Sequence, residues 1–175
     1  GGSAVKAALA RALPLPEGAA LVLGNGSDEL IQILTTVVAK AGATVLAPDP
    51  TFVMYRVYAL HAGVRYVAVP LRDDLQVDEE AMLAAIARER PAIVWLASPN
   101  NPTGRAVPVA TIERILAAAP GVVVVDEAYA DFADATLVPR VLEFPNLLVL
   151  RTLSKIGLAG ARLGYAVGHP SWIGE

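Results

Sequence analysis

Along the chain, short runs of Val, Ile and Leu closed by Pro, Gly, Asp or Asn alternate with longer Ala-rich stretches whose apolar residues recur at helical spacing. Runs that are apolar at every position belong to strands covered on both faces, and stretches with the helical rhythm supply the cover. The pattern predicts strands over Ala20–Leu23, Thr44–Ala47, Arg65–Val69, Ala92–Ala97, Val122–Val125, Leu147–Arg151 and Leu163–Val167. It predicts helices over Asp28–Ala41, Val53–Ala62, Glu79–Arg90 and Thr111–Ala118. Strand, helix and strand close into a parallel pair through a right-handed crossover. The expected fold is therefore α/β, a mostly parallel seven-stranded sheet with helices on both faces, or three-layer sandwich.

At 175 residues, the chain has the length of one domain. No repeat or heptad interrupts it, and Leu137–Pro145 reads as a connection within that domain. The 55% hydrophobic content and mean hydropathy of +0.51 are high for a soluble domain, yet charges, Pro or Gly break every apolar stretch short of a membrane span. Such a surplus is expected where part of the surface packs against another domain or subunit. A net charge of −3 with scattered Lys and Arg offers no broad field for nucleic acid or an anionic membrane. Cysteine is absent, which removes disulfides and thiolate metal sites and agrees with a cytoplasmic setting. The start, Gly1-Gly2-Ser3-Ala4-Val5-Lys6, has neither Met nor a long apolar segment, so a piece of a longer protein is expected.

In open α/β sheets, ligands sit beyond the carboxyl ends of the strands, and the unusual polar residues gather at those junctions. Gly24-Asn25-Gly26-Ser27-Asp28-Glu29 follows the first run and opens a helix. Its N–H groups and the helix dipole suit a phosphate, while Ser27 or Asp28 equally suits an ordinary N-cap. A dinucleotide fingerprint needs Gly where Glu29 stands, and a P-loop needs Gly-Lys-Ser/Thr, so neither motif is present. Ser98-Pro99-Asn100-Asn101-Pro102-Thr103-Gly104 is either a plain turn or a bend that aims an amide into the crevice.

Asp126-Glu127-Ala128-Tyr129 puts a carboxylate at the tip of a buried run. Unless Asp126 only caps the next segment, its burial demands a cationic partner such as a protonated pyridine nitrogen. Asp131 and Asp134 have no His beside them and read as solvent-facing rather than metal ligands. The sixth run leads into Arg151-Thr152-Leu153-Ser154-Lys155-Ile156-Gly157-Leu158-Ala159-Gly160-Ala161-Arg162, which holds one of three lysines. Lys155 is either a surface residue or an amine for a Schiff base, activated by desolvation and nearby cations. Thr152, Ser154 and Arg162 either cap and solvate this bend or bind a phosphate. His61 and His169 have no spacing that suits a metal or a triad.

Taken together, Pro99–Gly104, Asp126–Tyr129 and Ser154–Tyr165, in this order, resemble the fold-type-I aminotransferases, which depend on pyridoxal phosphate (PLP). Within that family, Gly24–Glu29, Asp126–Phe132 and Arg151–Lys155 are most similar to the histidinol-phosphate aminotransferases. The resemblance covers essentially the whole chain, residues 1–175, as a PLP-binding large domain. The family's N-terminal segment and C-terminal small domain have no counterpart in these residues. It implies that Lys155 carries PLP as a Schiff base and moves the proton released from the substrate Cα, and that Asp126 pairs with the ring nitrogen. Asn101 and Tyr129 would hydrogen-bond the phenolic oxygen, and Phe52 would stack on the ring. Gly26, Ser27, Asp28, Thr152, Ser154 and Arg162 would hold the phosphate. Phe52 stands where Tyr is frequent in the family, so stacking is kept and a hydroxyl contact is lost.

The implied reaction is transamination between histidinol phosphate and 2-oxoglutarate in histidine biosynthesis, within a cytoplasmic homodimer. Its partners would be a small-molecule amino donor and a 2-oxo acid, with neither nucleic acid nor membrane. A decarboxylase of phosphorylated threonine, an aminotransferase for another amino acid, or a non-catalytic PLP-sensing module of a transcription regulator would use the same platform.

Overall fold

The apolar runs pair into one sheet: β1 (Ala20–Asn25), β2 (Thr44–Asp49), β3 (Arg65–Pro70), β4 (Ile93–Ala97), β5 (Val122–Asp126), β6 (Leu147–Thr152) and β7 (Leu163–Gly168). The structure, a computed structural model, describes residues 2–133 and 135–173, so Asp134 lies outside the described residues. Its helices are α1 (Gly2–Ala12), α2 (Gly26–Val37), α3 (Met54–His61), α4 (Glu79–Glu89) and α5 (Val109–Ala118). Among the described residues, no helix is long and apolar enough to cross a membrane.

Spatial order is β1-β7-β6-β5-β4-β2-β3. Strands β2 to β6 pair in parallel, and β7 runs antiparallel to both β1 and β6. Every residue of β4 and β5 is buried, as uninterrupted apolar runs require. Alternate residues feed two cores. Val94, Leu96, Val123, Val125, Leu147 and Val149 face Met82 and Ile86 of α4 and Ile112 and Ile115 of α5. Ile93, Trp95, Val124, Leu148 and Leu150 face Leu30 and Ile31 of α2 and Tyr55 and Ala59 of α3.

Two helices differ from the expectation. The sequence pattern gave none before the first strand, whereas the Ala-rich stretch Gly2–Ala12 forms α1, an exposed helix whose Leu9, followed by Leu13, reaches the core. α2 stops at Val37 rather than continuing to Ala41. Its last turn, Thr35-Thr36-Val37-Val38, is a β-branched run that loses side-chain freedom in a helix, and Ala39 N–H bonds back to the Thr36 carbonyl at 3.1 Å. α4 begins as the sequence suggests, with the Asp78 side chain accepting from Ala81 N–H at 3.0 Å.

The chain moves outward from β2 to β3 and returns to place β4 on the other side of β2. Strand order reverses there, and a crevice opens beyond the carboxyl ends of the flanking strands.

Candidate active site

Side chains alternate between the faces of a strand, so the neighbouring carboxylates of Asp126 and Glu127 part company at the tip of β5. Both residues are buried. Asp126 turns toward the α2 and α3 side, where its Oδ2 accepts from the Tyr55 hydroxyl at 2.7 Å and its Oδ1 from Ala128 N–H at 3.0 Å. Burial pushes its pKa up to about 6, and these two hydrogen bonds oppose the rise. Glu127 turns the other way. It accepts from Arg151 Nε at 3.0 Å, the Thr136 hydroxyl at 2.6 Å and Leu137 N–H at 2.7 Å. It thereby ties the loop carrying Tyr129 to β6, while Asp126 is left to the cleft.

Beyond β4, the two asparagines divide their work. Asn100 is buried and accepts from the Thr51 hydroxyl at 2.7 Å, while its amide donates to the Pro50 carbonyl and the Thr103 hydroxyl, each at 3.0 Å. These contacts pin the loop to the end of β2, and Asn101 is the asparagine that lines the cleft.

At the start of α2, no side chain caps the helix; Glu29 instead accepts from Asn25 N–H at 2.6 Å. Gly26 has φ +77°, and a Cβ there would lie 2.9 Å from Arg162 Nη2. A guanidinium thus lies beside the positive end of a helix, and the two positive fields converge where an anion would be favoured. Gly164 of β7 explains how the helix reaches this place: a Cβ there would lie 2.3 Å from the Gly26 carbonyl carbon and 2.4 Å from Ser27 N. Buried Thr152 donates to the Leu163 carbonyl at 3.3 Å and accepts from Ser154 N–H at 3.2 Å. Its hydroxyl therefore braces the turn that carries Ser154 and Lys155.

Lys155 Nζ lies 5.3 Å from the centroid of the Tyr129 ring, within cation–π reach. The lysine itself is exposed, as is the segment from Ile156 to Arg162. The desolvation expected from the sequence is therefore not supplied by the described residues, since the bend carrying the lysine lies on the surface.

One cleft gathers Gly26, Ser27, Asp28, Phe52, Asn101, Asp126, Tyr129, Thr152, Ser154, Lys155 and Arg162. The sequence reading missed Tyr55, Ala97, Pro99 and Ala128, which also line it. Tyr55 lies three residues beyond Phe52 within the helix expected over Val53–Ala62, but nothing in the sequence shows that its hydroxyl reaches Asp126.

The residues fit a phosphorylated pyridine aldehyde. The start of α2 with Arg162, the buried carboxylate on which no cationic side chain lies among the described residues, and the amine all line one space.

The family model for aminotransferase class I and II matches residues 3–174. A histidinol-phosphate aminotransferase of Ralstonia nicotianae is 54% identical over 98% of this chain and 47% of its own length. That of Chromobacterium violaceum is 53% identical over 99% of this chain and 49% of its own. The chain thus spans about half the length of the curated relatives it matches. A solved histidinol-phosphate aminotransferase from Sinorhizobium meliloti, in complex with pyridoxal-5'-phosphate, superposes with a TM-score of 0.86 at 35% identity, covering 97% of this chain and 47% of that one. A decarboxylase from Sulfurospirillum multivorans has a TM-score of 0.81 at 28% identity, covering 97% and 50%.

Proposed function

Because the chain belongs to the aminotransferase class I and II family, we propose that it is the PLP-binding large domain of a histidinol-phosphate aminotransferase. The parent enzyme transfers an amino group from histidinol phosphate to 2-oxoglutarate, giving imidazole acetol phosphate and glutamate, as a cytoplasmic homodimer. The observation that carries this reading is the single cleft in which Lys155, Asp126 and the Arg162–α2 anion cradle meet.

Lys155 would hold the cofactor and move the proton at the substrate Cα. Asp126 would accept from the ring N–H, while Asn101 and Tyr129 would donate to the phenolic oxygen and Phe52 would pack on the ring. The N–H groups of Gly26, Ser27 and Asp28 would bind the phosphate with Ser154, Arg162 and the braced Thr152. Bound there, PLP supplies an electron sink for the carbon that gives up its proton. Ile156 and Leu158, 44% and 51% exposed beside Lys155, support a further surface packing over the cleft in the parent dimer.

The decarboxylase likeness shows that the same platform serves other chemistry, and identities above 50% to histidinol-phosphate aminotransferases favour transamination. The full-length parent, assayed with 2-oxoglutarate, is expected to show its highest kcat/KM with histidinol phosphate among competing amino donors. Equal use of the donors, or release of carbon dioxide from phosphorylated threonine, would overturn the substrate assignment.

A further inference from the structure

Tyr55 sits on α3 with no exposed surface. Trp95 of β4 stacks on its ring with centroids 4.9 Å apart and planes 5° apart, and Phe52 meets it edge-on at 5.6 Å. A phenol packed on two sides points its hydroxyl in one direction. That direction is Asp126 Oδ2, at 2.7 Å. Ala128 N–H takes Oδ1 from the opposite end of the carboxylate. The two donors come from separate elements and fix the carboxylate plane.

We propose that Tyr55 is the positioning residue for Asp126: its phenol, clamped by Trp95, keeps the carboxylate ionised and turned so that it accepts the ring N–H of PLP. This rests on the reading of the cleft given above. The chemistry requires such a donor because a protonated Asp126 would offer a hydrogen to the ring nitrogen instead of accepting one. Burial drives Asp126 toward that protonated form, and the Tyr55 hydrogen bond is the first of the contacts opposing it. Tyr55 remains a donor throughout the neutral range, since burial and then the Asp126 charge hold its own pKa well above normal.

The other charged groups around Asp126 do not replace the phenol. Asp28 at the start of α2 and Glu127, next along the chain, carry the same sign. Glu127 is paired with Arg151, and Lys155 and Arg162 stand on the exposed rim of the cleft.

Tyr55→Phe keeps the aromatic stack and removes only the hydroxyl. Carbon-13 NMR of the Asp126 carboxyl, followed against pH in the cofactor-free chain, should show the titration midpoint rise by about one pH unit. PLP affinity at pH 7 should fall about tenfold, the value of one hydrogen bond to a charged group. With Asp126→Asn already present, the same change should alter PLP affinity by less than about twofold. An unmoved midpoint, or an equal loss of affinity in both backgrounds, would make Tyr55 a filler of the core and overturn the proposal. The NMR titration needs no cofactor, so failure of the parent chain to bind PLP would count against the functional reading and leave Tyr55 to be judged on the midpoint. If Tyr55→Phe does not fold, 3-fluorotyrosine at position 55, a stronger donor, must lower the midpoint; no change would likewise refute the role.

Discussion

Asp126 is 5% exposed, and burial raises its pKa from the ordinary 3.8 to about 6. The folded chain therefore binds this proton more tightly than the unfolded one. The associated stability is fully present below pH about 4, is lost as pH rises through about 6, and amounts to about 3 kcal/mol. At neutral pH the cofactor-free chain carries a buried charge that a protonated ring nitrogen would neutralise. Asp126→Asn should accordingly flatten the difference in stability between pH 4 and pH 7 and raise stability at pH 7 by about 1–3 kcal/mol, while weakening PLP binding. Urea unfolding across that range, paired with a PLP titration, checks both signs. An Asn variant that is less stable at pH 7 and keeps the slope would contradict this account. The charge at the strand tip was legible in the sequence. Its hydroxyl partner was not, because Tyr55 and Asp126 are 71 positions apart and meet only through the packing of α3 on the sheet.

The proposed phosphate cradle depends on where α2 begins relative to β7. Gly164 pairs with Gly24 of β1 and Thr152 of β6, and its lack of a side chain lets the backbone of Gly26 and Ser27 lie directly against the strand. Neither neighbouring atom belongs to a side chain that could swing away. Gly164→Ala should push the start of α2 out of place, cost about 1–3 kcal/mol of stability, and reduce affinity for PLP more than for its phosphate-free aldehyde. Thermal unfolding and the two titrations test this, and equal losses for both ligands would show that the cradle had not moved. The sequence made Gly26-Ser27-Asp28 an anion site or a capped turn. The absence of a side-chain cap and the approach of Arg162, which is remote in the chain, are visible only in the fold, and both support the proposed anion site. A glycine inside a strand is itself a sign of close backbone approach, and at Gly164 it went unread.

Across the whole molecule, α2 to α5 and all seven strands follow from the alternation of apolar runs with helical stretches, most clearly β4 and β5, because buried parallel strands tolerate no polar interruption. Strand order is less visible: β1 closes beside β7 through contacts between the two ends of the chain, which local pattern does not encode. The lysine assignment is also a whole-molecule matter. Lys6, Lys40 and Lys155 are all exposed, so accessibility alone gives none of them an advantage. Only Lys155 lines the cleft that also holds Asp126 and Arg162. The most direct test is to incubate the chain with PLP, reduce it with borohydride, digest it and locate the modified lysine by mass spectrometry. The account predicts the adduct on Lys155 alone at low PLP concentration, whereas equal labelling of Lys6 and Lys40 would contradict it.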